Sequence, residues 1–225
     1  MGIKIVLNSS FDSIDSICVA VSWDIQYAQQ HIGLLFIDAD SQPQLLHLSG
    51  HYQLKKESPD VSYSWIDIAL DPINKLHLAT VCELIFALNP NGVPYSLCSD
   101  GASFSEQGFF IAEEDYAGMT CATFVINVFH SQGFLIVDSG KWPVRENDII
   151  WQEKILEILD KYLKDKDYID AQKQRIKQGG VARFRPEEVA VAAALSNPPH
   201  GLDILEEPAK ELLISIIKHT EAMAK

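Results

Sequence analysis

Strand-like segments precede helix-like segments along the chain, and this order constrains the fold more than any other feature of the sequence. Short apolar or alternating runs fill the first third, and apolar positions recur at helical spacing from residue 72 onward. The strand-like segments are residues 17–21, 31–37, 44–48, 52–57 and 61–65. Strands followed by helices are typical of the α+β class. We therefore predict a small antiparallel sheet packed on helices.

A turn-rich segment between the second and third strands predicts a β-hairpin. Residues 38–43 read Asp-Ala-Asp-Ser-Gln-Pro, and these residue types favour turns. If the hairpin turns near Ala39, His31 and His47 lie opposite or diagonal to each other on adjacent strands. One imidazole could then orient the other. A register shift by an even step would put His51 in the place of His47.

The first helix is predicted to begin at Asp71-Pro72, where a capping residue is followed by proline at the first helical position. It runs to about Leu88, and the Asn-Pro-Asn-Gly sequence at residues 89–92 stops it. Residues 93–98 are then predicted to form a short strand.

A second predicted helix carries a cysteine in its first turn. Apolar positions recur at helical spacing through residues 118–130, and Gly133 is a typical residue to end the helix. Thr120 can cap this helix, which places Cys121 near the unpaired N–H groups and the positive end of the helix dipole. These groups favour a thiolate, so Cys121 is predicted as a nucleophile with a lowered pKa. Gly118 would allow a substrate backbone to approach closely.

A cysteine at a helix start is also a common structural residue, so the hypothesis depends on a nearby base. His31 begins a strongly apolar strand, where a polar side chain needs a specific reason to be present. We predict that His31 is the general base and lies within hydrogen-bond reach of Cys121. His47 is predicted to orient it.

The segment from residue 147 to residue 225 is predicted to be a helical extension packed on a catalytic domain of residues 1–146. One helix carries an apolar stripe, and two more open at Arg185-Pro186 and Glu207-Pro208. The stripe consists of Trp151, Ile155, Ile158 and Tyr162. Residues 164–178 are highly charged and are interpreted as a solvated helix face.

Composition excludes several classes of function. The formal net charge of −13 argues against binding to nucleic acid, which requires neutralisation of phosphates. No apolar run is long enough for a signal peptide or a transmembrane segment, and the four cysteines lack the spacing of a zinc site. Neither a phosphate-binding loop nor a zinc-protease or serine-hydrolase motif is present. We expect a cytoplasmic protein with reduced thiols, no metal and no cofactor; export without a signal peptide stays open as an alternative.

The order of the candidate residues resembles a known group of proteins. Residues 30–36 read Gln-His-Ile-Gly-Leu-Leu-Phe, residues 45–48 read Leu-Leu-His-Leu, and residues 120–125 read Thr-Cys-Ala-Thr-Phe-Val. This arrangement is similar to that of the permuted NlpC-type and lecithin:retinol acyltransferase-like families, and the resemblance covers roughly residues 10–137. It implies a permuted papain-like fold.

In those families the strand histidine deprotonates the cysteine and a second polar residue orients the histidine. The resemblance therefore implies the roles of base for His31, orienting group for His47 and nucleophile for Cys121. The sequence Val-Pro-Tyr-Ser at residues 93–96 is similar to the segment before the nucleophile helix in some members. It adds Tyr95 as a candidate for substrate binding.

The resemblance implies a cysteine amidase or peptidase that acts through an acyl-enzyme on a peptide-like or acyl small molecule. Bacterial members often cleave peptides derived from the cell wall, which favours that substrate class. Two alternatives stay open. The first is a lipid or thioester acyltransferase, which would need an open apolar groove beside Cys121. The second is a non-catalytic interaction protein on the same fold, with the helical extension as its working surface.

Overall fold

The computed structural model describes Leu7 and residues 10–98, 100–177 and 181–223. Within these residues the chain is an α+β protein with a five-stranded antiparallel sheet, a two-stranded sheet and six α-helices. The strands are β1 (Ile17–Asp24), β2 (Gln29–Ile37), β3 (Pro43–Gly50), β4 (Gln53–Glu57), β5 (Tyr63–Asp67), β6 (Ala102–Phe104) and β7 (Phe110–Ala112). The helices are α1 (Pro72–Leu88), α2 (Cys121–Ser131), α3 (Glu146–Tyr162), α4 (Lys166–Lys177), α5 (Pro186–Ala194) and α6 (Leu202–Met223).

The large sheet has the strand order β4-β3-β2-β1-β5, and the predicted hairpin of β2 and β3 is confirmed. Leu34 pairs with Leu46, and the paired region extends from there toward the turn that begins at Asp38. The recorded ladder stops at Leu34, although β2 continues back to Gln29. The β2–β3 pairing therefore does not reach the end of β2 that carries His31.

The two faces of the large sheet have different coverings. Ile32, Leu34 and Phe36 of β2 belong to the main hydrophobic core, which also contains buried side chains of α1, α2, α5 and α6. Leu35 points to the opposite face and packs in a smaller cluster with Trp65, against which Phe11 also lies. This alternation follows from the period of two in a strand. It separates a helix-covered face from a thinly covered one.

The C-terminal helices complete the main core. Side chains from α5 and α6 are fully buried there together with residues of β1 and β2, among them Val189 and Leu205. Helix α3 begins at Glu146, one residue before the predicted start of the helical extension at residue 147. In the predicted apolar stripe of this helix, Ile155 is buried and Tyr162 is exposed. The division of the chain into residues 1–146 and 147–225 stays a prediction.

The charged segment predicted as a solvated face contains α4, and it is anchored by a buried polar residue. Gln172 accepts hydrogen bonds from the Ser96 hydroxyl at 3.0 Å and the Leu97 N–H at 3.2 Å, and it donates to the Tyr116 carbonyl at 3.2 Å. The prediction was incomplete because these partners lie more than fifty residues away in sequence. Residue 178, the last of the segment, lies outside the described residues.

Three local predictions differ from the structure. Residues 93–98 form only an isolated bridge between Tyr95 and Met119, because Pro94 lacks an N–H and Leu97 bonds to Gln172 instead. Strands β6 and β7 were not predicted, since they are three residues long. The last helix begins at Leu202 and contains Pro208 in its interior, so Glu207-Pro208 does not open it. None of the described helices has the length and apolar character needed to span a membrane.

Candidate active site

Cys121 is the first residue of α2, as the sequence predicted. Thr120 caps the helix: its hydroxyl accepts from the Thr123 N–H at 3.1 Å, and the Thr123 hydroxyl accepts from the Thr120 N–H at 2.8 Å. This reciprocal pair satisfies two donors that a helix start otherwise leaves unpaired. Gly133 follows the end of α2 with a φ of +79°, which suits glycine at this position. Capping thus holds the Cys121 side chain at a defined place.

Burial controls the protonation of the thiol. It raises the pKa of Cys121 to about 11, and this effect exceeds the opposing influence of the Ile32 N–H, the Arg183 charge and the N–H groups at the start of α2. The expected lowering of the pKa is therefore wrong for this conformation. Desolvation outweighs the helix terminus because the sulfur lies within the main core cluster. The resting group is a neutral thiol that must lose its proton during attack.

A chain of hydrogen bonds joins three side chains on neighbouring strands. The His31 Nε2 lies 2.7 Å from the His47 Nδ1, and the His47 Nε2 lies 3.1 Å from a carboxylate oxygen of Glu57. The predicted approach of the two histidines in the hairpin is confirmed. Glu57 on β4 extends the chain because it is diagonal to His47 across the β3–β4 ladder. The Glu57 side chain is half-exposed, whereas His47 is buried and His31 is partly buried.

This chain assigns a tautomer to each ring. An ionised carboxylate only accepts hydrogen bonds, so the His47 Nε2 carries the proton that it donates to Glu57. The His47 Nδ1 then has a lone pair and accepts from the His31 Nε2–H. His31 is left with an unprotonated Nδ1. Burial, reinforced by His47 and Lys55, lowers the pKa of His31 to about 3, which keeps the ring neutral.

The thiol and the imidazole approach β2 from different sides. The His31 side chain lies on the same face of β2 as that of Leu35, which is the thinly covered face. Cys121 instead belongs to the main core, together with Ile32. The Ile32 N–H nevertheless acts on the thiol, because it opposes the rise in the pKa of Cys121 that burial causes. Among the described residues, no hydrogen bond joins the Cys121 sulfur to an imidazole nitrogen. The expected direct contact is not made in this conformation.

A cleft of about 630 Å³ opens over the histidine pair. His31, His47, Tyr63 and Ser22 contribute to its wall, as does the β1–β2 turn; Cys121 is not one of the described residues that line it. The Tyr63 ring centroid lies 6.4 Å from that of each histidine, and the ring planes are steeply inclined. Burial raises the pKa of Tyr63, so its phenol stays protonated and can donate a hydrogen bond into the cleft.

The remaining sequence candidates have separate positions. A Cβ on Gly118 would lie 2.4 Å from the Pro94 carbonyl oxygen, so the close backbone approach at Gly118 is made by the chain itself. Its contact with a substrate stays a prediction. Tyr95 bridges to Met119, two residues before Cys121. His51 accepts a hydrogen bond from the Tyr95 N–H at 3.2 Å, whereas His47 is the histidine that bonds to His31.

Three residues of this region were missed by sequence reasoning. Glu57 shares its strand face with Lys55, which pairs with His47, so the period of two along β4 was a usable signal. Tyr63 is brought to the histidines by pairing of β5 with β1, and the packing of distant segments lets the charge of Arg183 act on Cys121. No local pattern marks these two. Their roles follow from tertiary contacts alone.

Gly33 provides a test of the histidine pair through packing. A Cβ at Gly33 would lie 2.8 Å from the His47 Cβ and 2.9 Å from the Leu46 carbonyl oxygen. We expect Gly33→Ala to lower the free energy of unfolding by about 1–3 kcal/mol, because β3 must move away from β2. Urea denaturation measures the loss. Gly140→Ala is the matched control, since its nearest atom would be the Asp138 Oδ1 at 3.7 Å; equal stability of both variants would contradict the expectation.

Comparison of the chain with family models, with curated proteins and with solved structures finds no match in any of the three.

Proposed function

We propose that this protein is a cysteine hydrolase that cleaves an amide or peptide bond, with Cys121 as nucleophile, His31 as base and His47 as orienting group. The observation that carries the proposal is the hydrogen-bonded chain from His31 through His47 to Glu57. It leaves an unprotonated nitrogen on His31, and the N–H of the next residue, Ile32, lowers the pKa of the thiol against the effect of burial. A nucleophile, a base and an oriented second histidine are the parts that acyl transfer requires.

The chemistry begins from neutral partners. As the Cys121 sulfur attacks the carbonyl carbon, its proton passes to the His31 Nδ1, and the Glu57 carboxylate stabilises the positive charge through His47. His31 then protonates the leaving amine, which gives a thioester on Cys121. Water, deprotonated by His31, releases the acid and restores the thiol. The N–H groups of Cys121, Ala122 and Ile32 oppose the effect of burial on the pKa of the thiol, and we assign them as the backbone donors for an oxyanion.

Proton transfer to His31 needs a small rearrangement, since the resting structure has no Cys121–His31 hydrogen bond. Catalytic hydrogen bonds are often long before substrate binds and tighten in the complex. A substrate that binds in the cleft and contacts His31 and His47 would bring Cys121 and His31 together.

The fold that we propose is the permuted papain-like one, with a helical extension of residues 147–225. The substrate class that we favour is peptide fragments derived from the cell wall, handled in the cytoplasm. The cleft over the histidines is lined by Ser22, Asp60 and Ser62 as well as by tyrosine rings. A lipid donor would need an open apolar groove beside Cys121, and Cys121 is not one of the described residues that line this cleft. The hydrolase is therefore preferred to the lipid acyltransferase.

The proposal is tested by the order in which the cysteines react with limiting iodoacetamide, followed by mass spectrometry. We expect Cys121 to be modified first. It is 8% exposed, against 2% or less for each of Cys18, Cys82 and Cys98, and it alone lies at the start of a helix. His31→Gln should slow the labelling of Cys121 by about tenfold and leave Cys98 unchanged. Equal labelling of Cys121 and Cys98 in the folded wild-type protein would reject the nucleophile.

A further inference from the structure

A second cavity, of about 670 Å³, is lined by the β3–β4 turn, the segment before α2 and the start of α4. Four aromatic residues contribute to its wall: His51, Tyr52, Tyr116 and Tyr168. We call it the tyrosine cavity. No described residue lines both this cavity and the cleft over the histidine pair, so the two are separate. A cavity of this volume has the size of a small-molecule site.

The aromatic rings of the tyrosine cavity stand at steep angles to one another. The centroid of the His51 ring lies 4.5 Å from that of Tyr52 and 4.4 Å from that of Tyr168, and the ring planes are inclined by 80° and 53°. The Tyr116 ring lies 6.2 Å from the Tyr168 ring, with an inclination of 63°. The rings therefore border the cavity and do not fill it by stacking on one another.

Two of the tyrosines reach the wall from a strained backbone. Tyr52 and Tyr116 have φ angles of +58° and +61°, which are unfavourable for a bulky residue. The Tyr52 N–H is held by the Val93 carbonyl at 2.9 Å, and a Cβ on Gly92 would lie 2.2 Å from the Tyr52 carbonyl oxygen. Yet Tyr52 is 54% exposed and Tyr116 is 39% exposed, so core packing does not account for their placement.

The charge on the wall of the tyrosine cavity is negative. Its described lining contains four carboxylates and neither lysine nor arginine. The carboxylates belong to Glu113, Glu114, Asp115 and Asp165. Glu114 pairs with Arg175 at 2.7 Å, and Asp165 accepts from the Tyr168 N–H at 3.0 Å. Among the described residues, the carboxylates of Glu113 and Asp115 have no hydrogen-bond or ion-pair partner, so they are available to a cation.

The polar atoms of two rings are already used within the protein. The Tyr168 hydroxyl donates to the Tyr95 carbonyl, and the His51 Nδ1 accepts from the Tyr95 N–H at 3.2 Å. Burial lowers the pKa of His51, so its ring adds no positive charge at neutral pH. The wall therefore offers aromatic surface and negative charge. A primary ammonium needs an acceptor for each of its three hydrogens, whereas a quaternary ammonium has none to satisfy and binds to aromatic faces.

We propose that the tyrosine cavity binds a small organic cation that carries a quaternary ammonium group. The rings of Tyr52, Tyr116 and Tyr168 contact the methyl groups, and the carboxylates of Glu113 and Asp115 compensate the charge. Tyr52 and Tyr116 are placed for this contact, which gives a reason for their strained backbone. The site does not involve Cys121 or its histidines, so the inference is independent of the proposed hydrolase.

The test compares three ligands that differ in one group. Choline carries the trimethylammonium group, 3,3-dimethylbutan-1-ol is its neutral isostere, and ethanolamine is its primary ammonium counterpart. Isothermal titration calorimetry of the wild-type protein measures the three dissociation constants. We expect choline to bind about tenfold more tightly than either of the other two, because only choline combines a positive charge with a surface that suits aromatic rings. Added salt should weaken choline binding and leave the alcohol unaffected.

Substitutions in the wall should change these affinities in different ways. We expect Tyr52→Leu and Tyr116→Leu each to weaken choline binding by about three- to tenfold, because each removes one aromatic ring. Glu113→Gln should weaken choline binding and leave the binding of the neutral alcohol unchanged. Tyr162→Leu and Glu153→Gln are the matched controls, since both residues are exposed on α3 and neither lines the cavity. Circular dichroism verifies that the variants fold.

Each contrary outcome overturns a stated part of the inference. Equal binding of choline and its neutral isostere would remove the role of the carboxylates. Ethanolamine binding as tightly as choline would overturn the choice of a quaternary ammonium. A Tyr116→Leu protein that binds choline as the Tyr162→Leu control does would remove the role of the rings. Absence of saturable choline binding to the wild-type protein would overturn the site even if the variants do not fold, and it would leave the labelling of Cys121 as a separate question.

Discussion

Replacing Cys121 by alanine should reduce hydrolysis of a peptide substrate by a factor of roughly 10⁴ or more, because no other group can form the acyl-enzyme. His31→Gln should cost about 10²–10⁴-fold, the range of general-base catalysis. His47→Ala should cost less than either, since water can still hydrogen-bond to the His31 Nε2 although the ring loses its fixed tautomer. Glu57→Gln should have the smallest effect, because the Glu57 carboxylate is half-exposed.

The measurement is kcat/KM on cell-wall peptide fragments, and on short acyl esters or thioesters as generic acyl donors. His77→Gln is the control: this histidine is exposed on α1 and bonds to Gln132, away from the cleft. Burial lowers the pKa of His31, so the acid limb of the wild-type pH profile should lie below pH 6.5. A Cys121→Ala variant as active as the wild-type protein would end the hydrolase hypothesis, and a larger loss for Glu57→Gln than for His31→Gln would contradict the direction of the chain.

Asp148→Ala should be the most destabilising single substitution in the helical part of the protein. Its carboxylate is fully buried and lies within 4 Å of three guanidinium groups, those of Arg145, Arg183 and Arg185. Removing it leaves buried like charges without compensation, and such losses cost roughly 3–5 kcal/mol. The free energy of unfolding from urea denaturation monitored by tryptophan fluorescence measures the effect. The same substitution should expose α3 to limited proteolysis, because Asp148 ties this helix to Arg185.

Asp160→Ala provides the matched control on the same helix. Asp160 is paired with Lys173 at 3.4 Å, and both side chains are about half-exposed. An exposed pair contributes about 0–1 kcal/mol, so this variant should unfold nearly as the wild-type protein does. A loss at Asp148 no larger than that at Asp160 would mean that the buried cluster does not hold the C-terminal helices in place.

The local features of the site could be predicted because they depend on neighbouring residues. Asp71 and Thr120 are capping residues whose side chains bond to N–H groups two or three positions ahead. The hairpin of β2 and β3 follows from two apolar runs and one turn, and this brought His31 and His47 together. Strand periodicity, helix capping and turn formation each depend on residues a few positions apart, so they can be predicted from the sequence.

The same reasoning failed where a distant segment changes the local preference. Residues 93–98 have the composition of a strand, yet Gln172 of α4 takes the N–H of Leu97. Pro208 has the signature of a helix start, yet α6 has already begun at Leu202. Proline removes only one hydrogen bond, and packing of Leu205 and Leu212 in the main core outweighs that loss.

The sequence by itself determined the α+β order, the hairpin that pairs His31 with His47, and the position of Cys121 at a helix start. Only the tertiary structure decided the electrostatics of these groups. It buried the thiol, which raises the pKa of Cys121 where the helix terminus alone would lower it, and it joined Glu57 to His47. It also placed the guanidinium of Arg183 over the Trp151 ring of α3. Desolvation and charge pairing depend on what surrounds a group in three dimensions, and no pattern of neighbouring residues encodes that environment.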